Sequence, residues 1–502
     1  MTSPVIVIGG GHNGLTAATV LAKAGRKVIL LEAAASLGGL ARGEGFHPGF
    51  RTAGLLHDAS GLRPSIAKAL SLKSHGLRFR DEPMVQTVPG DAGIVRLRGP
   101  EISGAVSDDD ALAYREFMRF LTRLKKPLGR VLSKTPPSPL GNLSALVIPA
   151  LGIRRLGARD MMELLRVPSM CVADWMRDHF TSEPLSAAIA HGALLGSMAG
   201  PWSPWTAANL LFEGAARQRD VLGGPAALVA SLERAATAAG VDVRCGARVG
   251  RILVGSDGVE GVELEGGEKI EAVFVLSTCD PKTTFLDLVG PRILSNSVLG
   301  SIGSIRTRGT TAKLNIALTG SLLDSEGQKV ELMRTGASLD DLERAFDAAK
   351  YRQMSRRPIL DIRVPSDDDP GLAPAGHSVV SILAHYAPYN LEGGWTDEAK
   401  AQFQAAALGV LEENCPGTRE RIVATQLLSP ADIEAEYLVT DGHIYHGEHA
   451  PDQLLFMRPT IDMADYRTPI AGLYLGASGC HPGGGITCAP GYLGAKTLVR
   501  DA

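Results

Sequence analysis

The sequence predicts an α/β fold on three observations. A strand, glycine loop, helix and second strand fill the first 32 residues; a late strand runs through a glycine triplet into a closing helix; and period-two segments lie between them. The opening reads PVIVIGGGHNGLTAATVLAKAGRKVILLE over residues 4 to 32. Val5 to Ile8 is the short apolar run of a buried parallel strand, the small-residue stretch ending at Gly25 is helical, and Val28 to Leu31 forms the next strand, stopping at Glu32.

Gly9, Gly11 and Gly14 supply G-x-G-x-x-G at the strand-to-helix turn. Gly9 permits the tight turn, Gly11 lets a pyrophosphate approach the backbone, and Gly14 lets the helix pack on its strand. The unpaired N–H groups of the helix start then bind phosphate. Glu32 ends the second strand, where a carboxylate accepts the two hydroxyls of a ribose and repels a 2′-phosphate. The opening therefore binds a dinucleotide.

Beyond Glu32 a second glycine pair, Gly38 and Gly39, is followed by Arg42, which brings backbone and positive charge to a cofactor longer than NAD. At the far end the strand GLYLGAS, Gly472 to Ser478, meets Gly479, Cys480, His481, Pro482 and the triplet Gly483 to Gly485. From Ile486 onward the chain reads as a closing helix despite its Pro and Gly. A strand-to-helix turn here aims backbone N–H groups at another part of the same cofactor, such as a flavin's pyrimidine edge. Between the ends, Gly223-Gly224-Pro225 precedes a helical pattern from Ala226 to Ala239 and a strand from Val241 to Arg244. The segments RILV, GVEGVELEG and KIEAVFVLS then alternate as strands, with turns at Asp257-Gly258 and Gly266-Gly267.

A chain of 502 residues has room for about three domain-sized units. Its 51 basic and 54 acidic side chains nearly cancel, which removes the electrostatic case for nucleic acid. Six cysteines are scattered without a C-x-x-C pair, so neither a zinc site nor a redox disulfide is predicted. The longest apolar run, Leu143 to Ile153, is too short to span a membrane, and no secretory signal is evident at the N-terminus. A cytoplasmic protein is expected.

The segments GGGHNGL, SLGGLARGEGFHPGFR and YRTPIAGLYLGASGCHPGGGITCAPGY together resemble the phytoene-desaturase-like FAD oxidoreductases. The stretches GSMAGPWSPWTAANLLF, GGPAALVASLERAATAAGVDVRCGARVGRI and GHIYHGEHAPDQLLFMRP extend the likeness over nearly the whole chain. The resemblance implies noncovalent FAD in a discontinuous Rossmann-like domain of the glutathione reductase and amine oxidase type, with an inserted α+β substrate domain. It assigns residues 1 to 80, 221 to 290 and 455 to 502 to the cofactor, and 81 to 220 and 291 to 454 to the substrate. By position it places Gly9, Gly11, Gly14 and Glu32 on the diphosphate and ribose, Gly39 and Arg42 near the pyrophosphate, and Val249 near the adenine. Gly484, Gly485, Ile486 and Thr487 meet the ring or ribityl end. No second complete G-x-G-x-x-G unit for NADPH is found, so the electron acceptor is left open.

His443, His446 and His449 form H-x-x-H-x-x-H, but Gly442 and Gly447 oppose the regular helix that would gather them, and no metal is predicted. The resemblance puts His446 in the wall near the flavin as a candidate for substrate positioning or proton transfer, against a plain hydrogen-bonded loop histidine. His481, beside the glycine triplet, is a second candidate catalytic residue, and His12 covers the cofactor. Arg458 sits where burial demands a partner, a structural ion pair above all. Met198 to Trp205 either lines a pocket or packs. Ser107 with Asp110 marks a helix start. From Arg115 to Arg159 ten basic residues face one acid, Glu116, either as a solvated back to a core-facing stripe (Phe117, Phe120, Leu121, Leu124) or as a peripheral contact with an anionic membrane.

The leading expectation is hydride transfer between flavin N5 and a carbon of a hydrophobic, isoprenoid or polyene-like substrate, in desaturation, saturation or isomerisation. The alternatives are a flavin amine oxidase, disfavoured by Ala477-Ser478 where those relatives carry an acid, and a non-catalytic lipid or prenyl carrier on the same scaffold.

Overall fold

The computed structural model describes residues 3–136, 152 and 154–502. Its centre is a five-stranded parallel sheet in the order Leu473–Leu475, Phe274–Ser277, Val5–Ile8, Val28–Leu31, Asp242–Arg244. Three stretches of sequence far apart in the chain thus lie side by side. Successive side chains of a strand point to opposite faces, and both faces here are covered. Val5, Val7, Val28 and Leu30 pack with Leu15, Leu21, Leu228, Leu232 and Leu498 of three helices, His12–Lys23, Gly224–Ala238 and Ala489–Asp501. Ile6, Ile8, Ile29 and Leu31 pack on the other side against Ile252 and Val262 of a three-stranded antiparallel sheet, Val249–Gly255, Gly258–Leu264 and Lys269–Glu271. The turn at Asp257-Gly258 forms as predicted, Gly258 taking a φ of 128°.

The closing helix approaches its neighbours at backbone distance. A Cβ on Gly491 would lie 2.0 Å from the Asn13 carbonyl oxygen, and one on Gly494 would lie 2.3 Å from that of Leu475. This helix begins at Ala489, three residues later than the sequence pattern suggests. Pro490 fits its first turn, where no N–H partner is missing, whereas Cys488 just before it takes a φ of 59°, a left-handed conformation that no helix accepts.

An eight-stranded mixed sheet stands apart from the first, in the order Ile422–Leu428, Thr311–Thr319, His377–His385, Ile359–Arg363, Leu332–Arg334, Gln86–Gly90, Gly93–Arg98, Glu101–Gly104. Leu314, Ile316, Leu360, Ile362, Val380 and Ile382 turn one face toward Phe403 and Leu411 of the helix Asp397–Asn414. A helical region packs around Trp175. Its longest member, Asp108–Leu132, is capped by Ser107, whose Oγ accepts from the Asp110 N–H at 3.1 Å, and it buries Phe117, Phe120, Leu121 and Leu124. The stripe therefore faces the core. The apolar run Leu143 to Ile153 lies, except for Gly152, outside the described residues, as does the end of the Thr135 to Pro139 loop. Among the described residues no helix is long and apolar enough to cross a membrane. Neither Trp202 nor Trp205 lines either of the two cavities described below: Trp202 lies under the Arg177 guanidinium at 4.4 Å, and Trp205 precedes the helix Thr206–Ala216.

Candidate functional site

A cleft of about 560 Å³ opens at the carboxyl ends of the central strands, where open parallel sheets bind their ligands. Gly9, Gly11, Glu32, Gly39, Arg42 and Val249 all line it. Gly14 lies beneath: its Cβ would stand 1.8 Å from the Gly9 carbonyl oxygen, so no side chain fits. Gly11 differs. Its φ of −71° suits any residue, and a Cβ there would meet nothing nearer than 3.8 Å, so the position is kept bare for what enters the cleft. Gly38 donates to the Gly10 carbonyl at 2.9 Å, and a Cβ on Gly39 would touch Gly11 Cα at 3.3 Å. The second glycine pair is thereby seated against the first loop.

Glu32 is fixed at its strand end, Oε2 accepting from the Gly10 N–H at 2.6 Å and Oε1 from that of Ala34 at 2.8 Å. Arg42 shares its charge with Glu44, to which it is hydrogen-bonded, and with Glu436 at 3.8 Å, under the Tyr437 ring. Buried His12 Nε2 and His446 Nδ1 have no hydrogen-bond partner among the described residues, and both rings line the cleft. Burial, with a smaller contribution from His446, lowers the His12 pKa to about 3; burial lowers that of His446 too, against the attraction of Asp280. A helix start with bare backbone, an anchored carboxylate and two unpartnered imidazoles fit the adenosine diphosphate part of FAD.

The two ends of the chain meet here. Asn13 Nδ2 donates to Ser478 Oγ at 3.2 Å, while Asn13 Oδ1 accepts from the Gly491 N–H at 3.4 Å. Nearby, the three histidines go separate ways. His443 Nδ1 accepts from the Tyr445 and Gly447 N–H groups at 3.2 and 3.3 Å, His446 faces the cofactor cleft, and His449 Nε2 accepts from the Gly484 N–H at 3.1 Å. Among the described residues Arg458 has no ion pair, contrary to the sequence expectation. Its buried guanidinium donates to five backbone carbonyls, those of Glu448, Gln453, Tyr445, Gly447 and Ser478, at 2.8 to 3.1 Å. A looped backbone presents enough carbonyls to replace a carboxylate, and burial lowers the arginine pKa to about 10. His481 is fully buried, its Nε2 lying 3.2 Å from the Val131 carbonyl oxygen, and it lines neither cavity.

A second cavity, about 130 Å³, has Gly484, Gly485, Ile486 and Thr487 in one wall and shares Leu56 with the cleft. Tyr445 partly separates the two spaces: a Cβ on Gly484 would lie 2.1 Å from its Cβ. The opposite wall carries a charged network that the sequence reading missed. His57 stands between Ser381 and Asp361, Nδ1 3.1 Å from Ser381 Oγ and Nε2 3.2 Å from Asp361 Oδ1. Lys313 Nζ donates to the same Ser381 Oγ at 2.6 Å. Burial lowers His57 to about 4 and Lys313 to about 7. Burial alone would raise the Asp361 carboxyl, but Arg334 and His57 overcome it and hold the group well below the carboxylate range. A sequence signal existed. In Thr311–Thr319 and Ile359–Arg363 charged or polar residues alternate with apolar ones, the mark of a solvated face; here that face is buried against the site, whereas His377–His385, which carries Ser381, shows no such alternation.

The profile of the family described as flavin containing amine oxidoreductase matches residues 14–486. Pyridine nucleotide-disulfide oxidoreductase domain-containing protein 2 of Rattus norvegicus is 33% identical, the match covering 99% of this chain and 93% of that one. Hydroxyneurosporene desaturase of Rubrivivax gelatinosus is 25% identical over 99% of this chain and 93% of its own length. Putrescine oxidase with bound putrescine shares the fold, with a TM-score of 0.62 at 17% identity over 100% of this chain and 99% of the other. All six cysteines of the present chain are free.

Proposed function

Because the chain belongs to the flavin-containing amine oxidoreductase family and is an FAD-dependent oxidoreductase, we propose that it transfers hydride between the flavin and a carbon of a hydrophobic, polyene-like substrate. One observation carries the reading: the cavity against Gly484 to Thr487 has Leu195, Phe212, Leu383, Leu454 and Leu455 in its walls. FAD, when bound, supplies the hydride acceptor or donor at N5. The protein's own share is to exclude water and hold a proton nearby. Apolar walls do the first; His57, neutral near pH 7, and Lys313, linked through Ser381, do the second.

The full-length likeness to a desaturase of hydroxyneurosporene, a long polyene, supports the substrate class. An amine is the second reading, favoured by three carboxylates in the cavity, Asp58, Glu213 and Asp361. Each faces an arginine within 4 Å, however, which leaves none free for an ammonium group. In this proposal residues 1 to 80, 221 to 290 and 455 to 502 hold the cofactor, the remaining two stretches enclose the substrate, and His446 and His12 serve the cofactor side. In this proposal the protein is cytoplasmic and the exposed basic back of the helix Asp108–Leu132, whose apolar stripe faces the core, meets an anionic membrane within residues 115 to 159, a reading supported by the basic excess there and by Met162 and Leu165 nearby, 62% and 69% exposed.

The test is anaerobic. The purified yellow protein is mixed with neurosporene-type polyenes and with putrescine, and flavin bleaching is followed together with product mass. Bleaching by a polyene with loss of two hydrogens supports desaturation; gain of two by the reduced enzyme supports saturation; unchanged mass with a new isomer supports isomerisation. A colourless protein that FAD does not restore, or bleaching by putrescine alone, overturns the reading.

A further inference from the structure

The second cavity holds more charge than a hydrocarbon substrate needs, and one group in it is unmatched. Arg334 Nε lies 3.1 Å from Asp361, Arg363 Nη2 lies 2.8 Å from Asp58, and Arg217 lies 3.3 Å from Asp220. Arg63, which lines the cavity and is only 3% exposed, has no carboxylate within 4 Å among the described residues. The other residues of the chain, 1–2, 137–151 and 153, contain no Asp or Glu.

Among the described residues its Nη1 reaches only the carbonyls of Ala215 and Ala216, both at 3.4 Å, and its buried Nε has no partner. An arginine taken out of water is costly unless its charge is paired, and its planar fork matches a carboxylate or phosphate in shape. Burial, with no neighbouring anion to offset it, lowers its pKa to about 10. The same cavity also has apolar lining, Leu132, Leu195 and Phe212 among it.

We propose that Arg63 receives the acidic head, carboxylate or phosphate monoester, of a substrate whose hydrocarbon part lies along Leu132, Leu195 and Phe212. The proposal rests on the reading of this cavity as the site of a hydrophobic substrate and narrows it from a plain hydrocarbon to a hydrophobic acid.

The flavin-loaded protein is titrated with all-trans-retinoate, all-trans-retinol and farnesyl monophosphate, binding being read from the flavin difference spectrum and from thermal shift. One of the acids is expected to bind at least about tenfold more tightly than retinol, the worth of a hydrogen bond to a charged group, and which acid does so tells carboxylate from phosphate. Arg63→Gln abolishes that preference and leaves the affinity for retinol; Arg63→Lys keeps part of it. If Arg63→Gln does not fold, the preference of the wild type and its reduction in Arg63→Lys carry the test. Equal binding of acids and alcohol overturns the assignment while leaving the hydrophobic site standing. So does an Arg63→Gln protein that keeps the preference but shifts the flavin potential, which would give Arg63 to the cofactor. Absence of binding by all three ligands overturns the underlying reading as well.

Discussion

The cofactor cleft and the cavity beside it share Leu56, yet they are built from different materials. The cleft is chiefly a backbone site: bare glycines, a helix start and the anchored carboxylate of Glu32, all before residue 43. The cavity is a side-chain site, drawn from residues hundreds of positions apart, such as Asp58 with Arg363 and His57 with Ser381. Backbone sites tolerate no added atoms, whereas side-chain sites depend on every partner being present.

The sharpest break in that comparison is expected within the cleft itself, between two of its glycines. Gly14→Ala would drive its Cβ into the Gly9 carbonyl and should cost about 3 kcal/mol or more, seen as loss of folded protein. Gly11→Val meets no such wall. It should fold with the thermal midpoint of the apoprotein and lose FAD affinity by about a hundredfold or more, read by flavin titration. Equal folding of both variants would show that Gly14 does not carry the packing assigned to it.

Arg458→Met tests a group that serves both sites, since it ties the 445–453 loop to Ser478. Stranding five buried carbonyls should cost about 3 to 5 kcal/mol in denaturant unfolding. A change below about 1 kcal/mol would mean the loop holds without it.

Acid should then weaken the cavity. His57 is kept neutral in the fold, so the unfolded chain takes up its proton first; stability is full above pH 6.5 and falls as pH drops toward 4. His57→Gln should remove on the order of 3 kcal/mol of that acid loss, measured as unfolding free energy against pH. A parallel curve for the variant would release His57 from this role. The smallest effect is expected from Arg42→Ala. Its charge is already shared with Glu44 and Glu436, so FAD should bind less than about tenfold more weakly.

The same contrast decides what could be read in advance. Gly9, Gly11, Gly14 and Glu32 were legible because turn geometry and strand ends are local, and local physics leaves a spacing in the sequence. The late start of the closing helix was not, since it turns on Cys488 at a φ of 59°, a left-handed conformation that its residue type does not announce. Lys313 and Asp361 carried a period-two signal, but alternation cannot distinguish water from a buried network on the polar face, and Ser381 in HSVVSILAH carried no such signal. The direction of His446 was illegible for a related reason: its φ of 57° turns the ring toward the cofactor cleft, a choice made by its loop and not by the residue type.

The order in which the central sheet receives its strands has a consequence for biosynthesis. Phe274–Ser277 gains its outer neighbour only when Leu473–Leu475 arrives, and Asn13 gains its lock only from Ser478 and Gly491. A nascent chain on the ribosome therefore carries an open apolar sheet edge from the emergence of Ser277 until Leu473–Leu475 follows. The nucleotide pocket closes only when both distant segments have been made, and a chain broken off between them would be a sticky, colourless fragment for chaperones and proteases to clear.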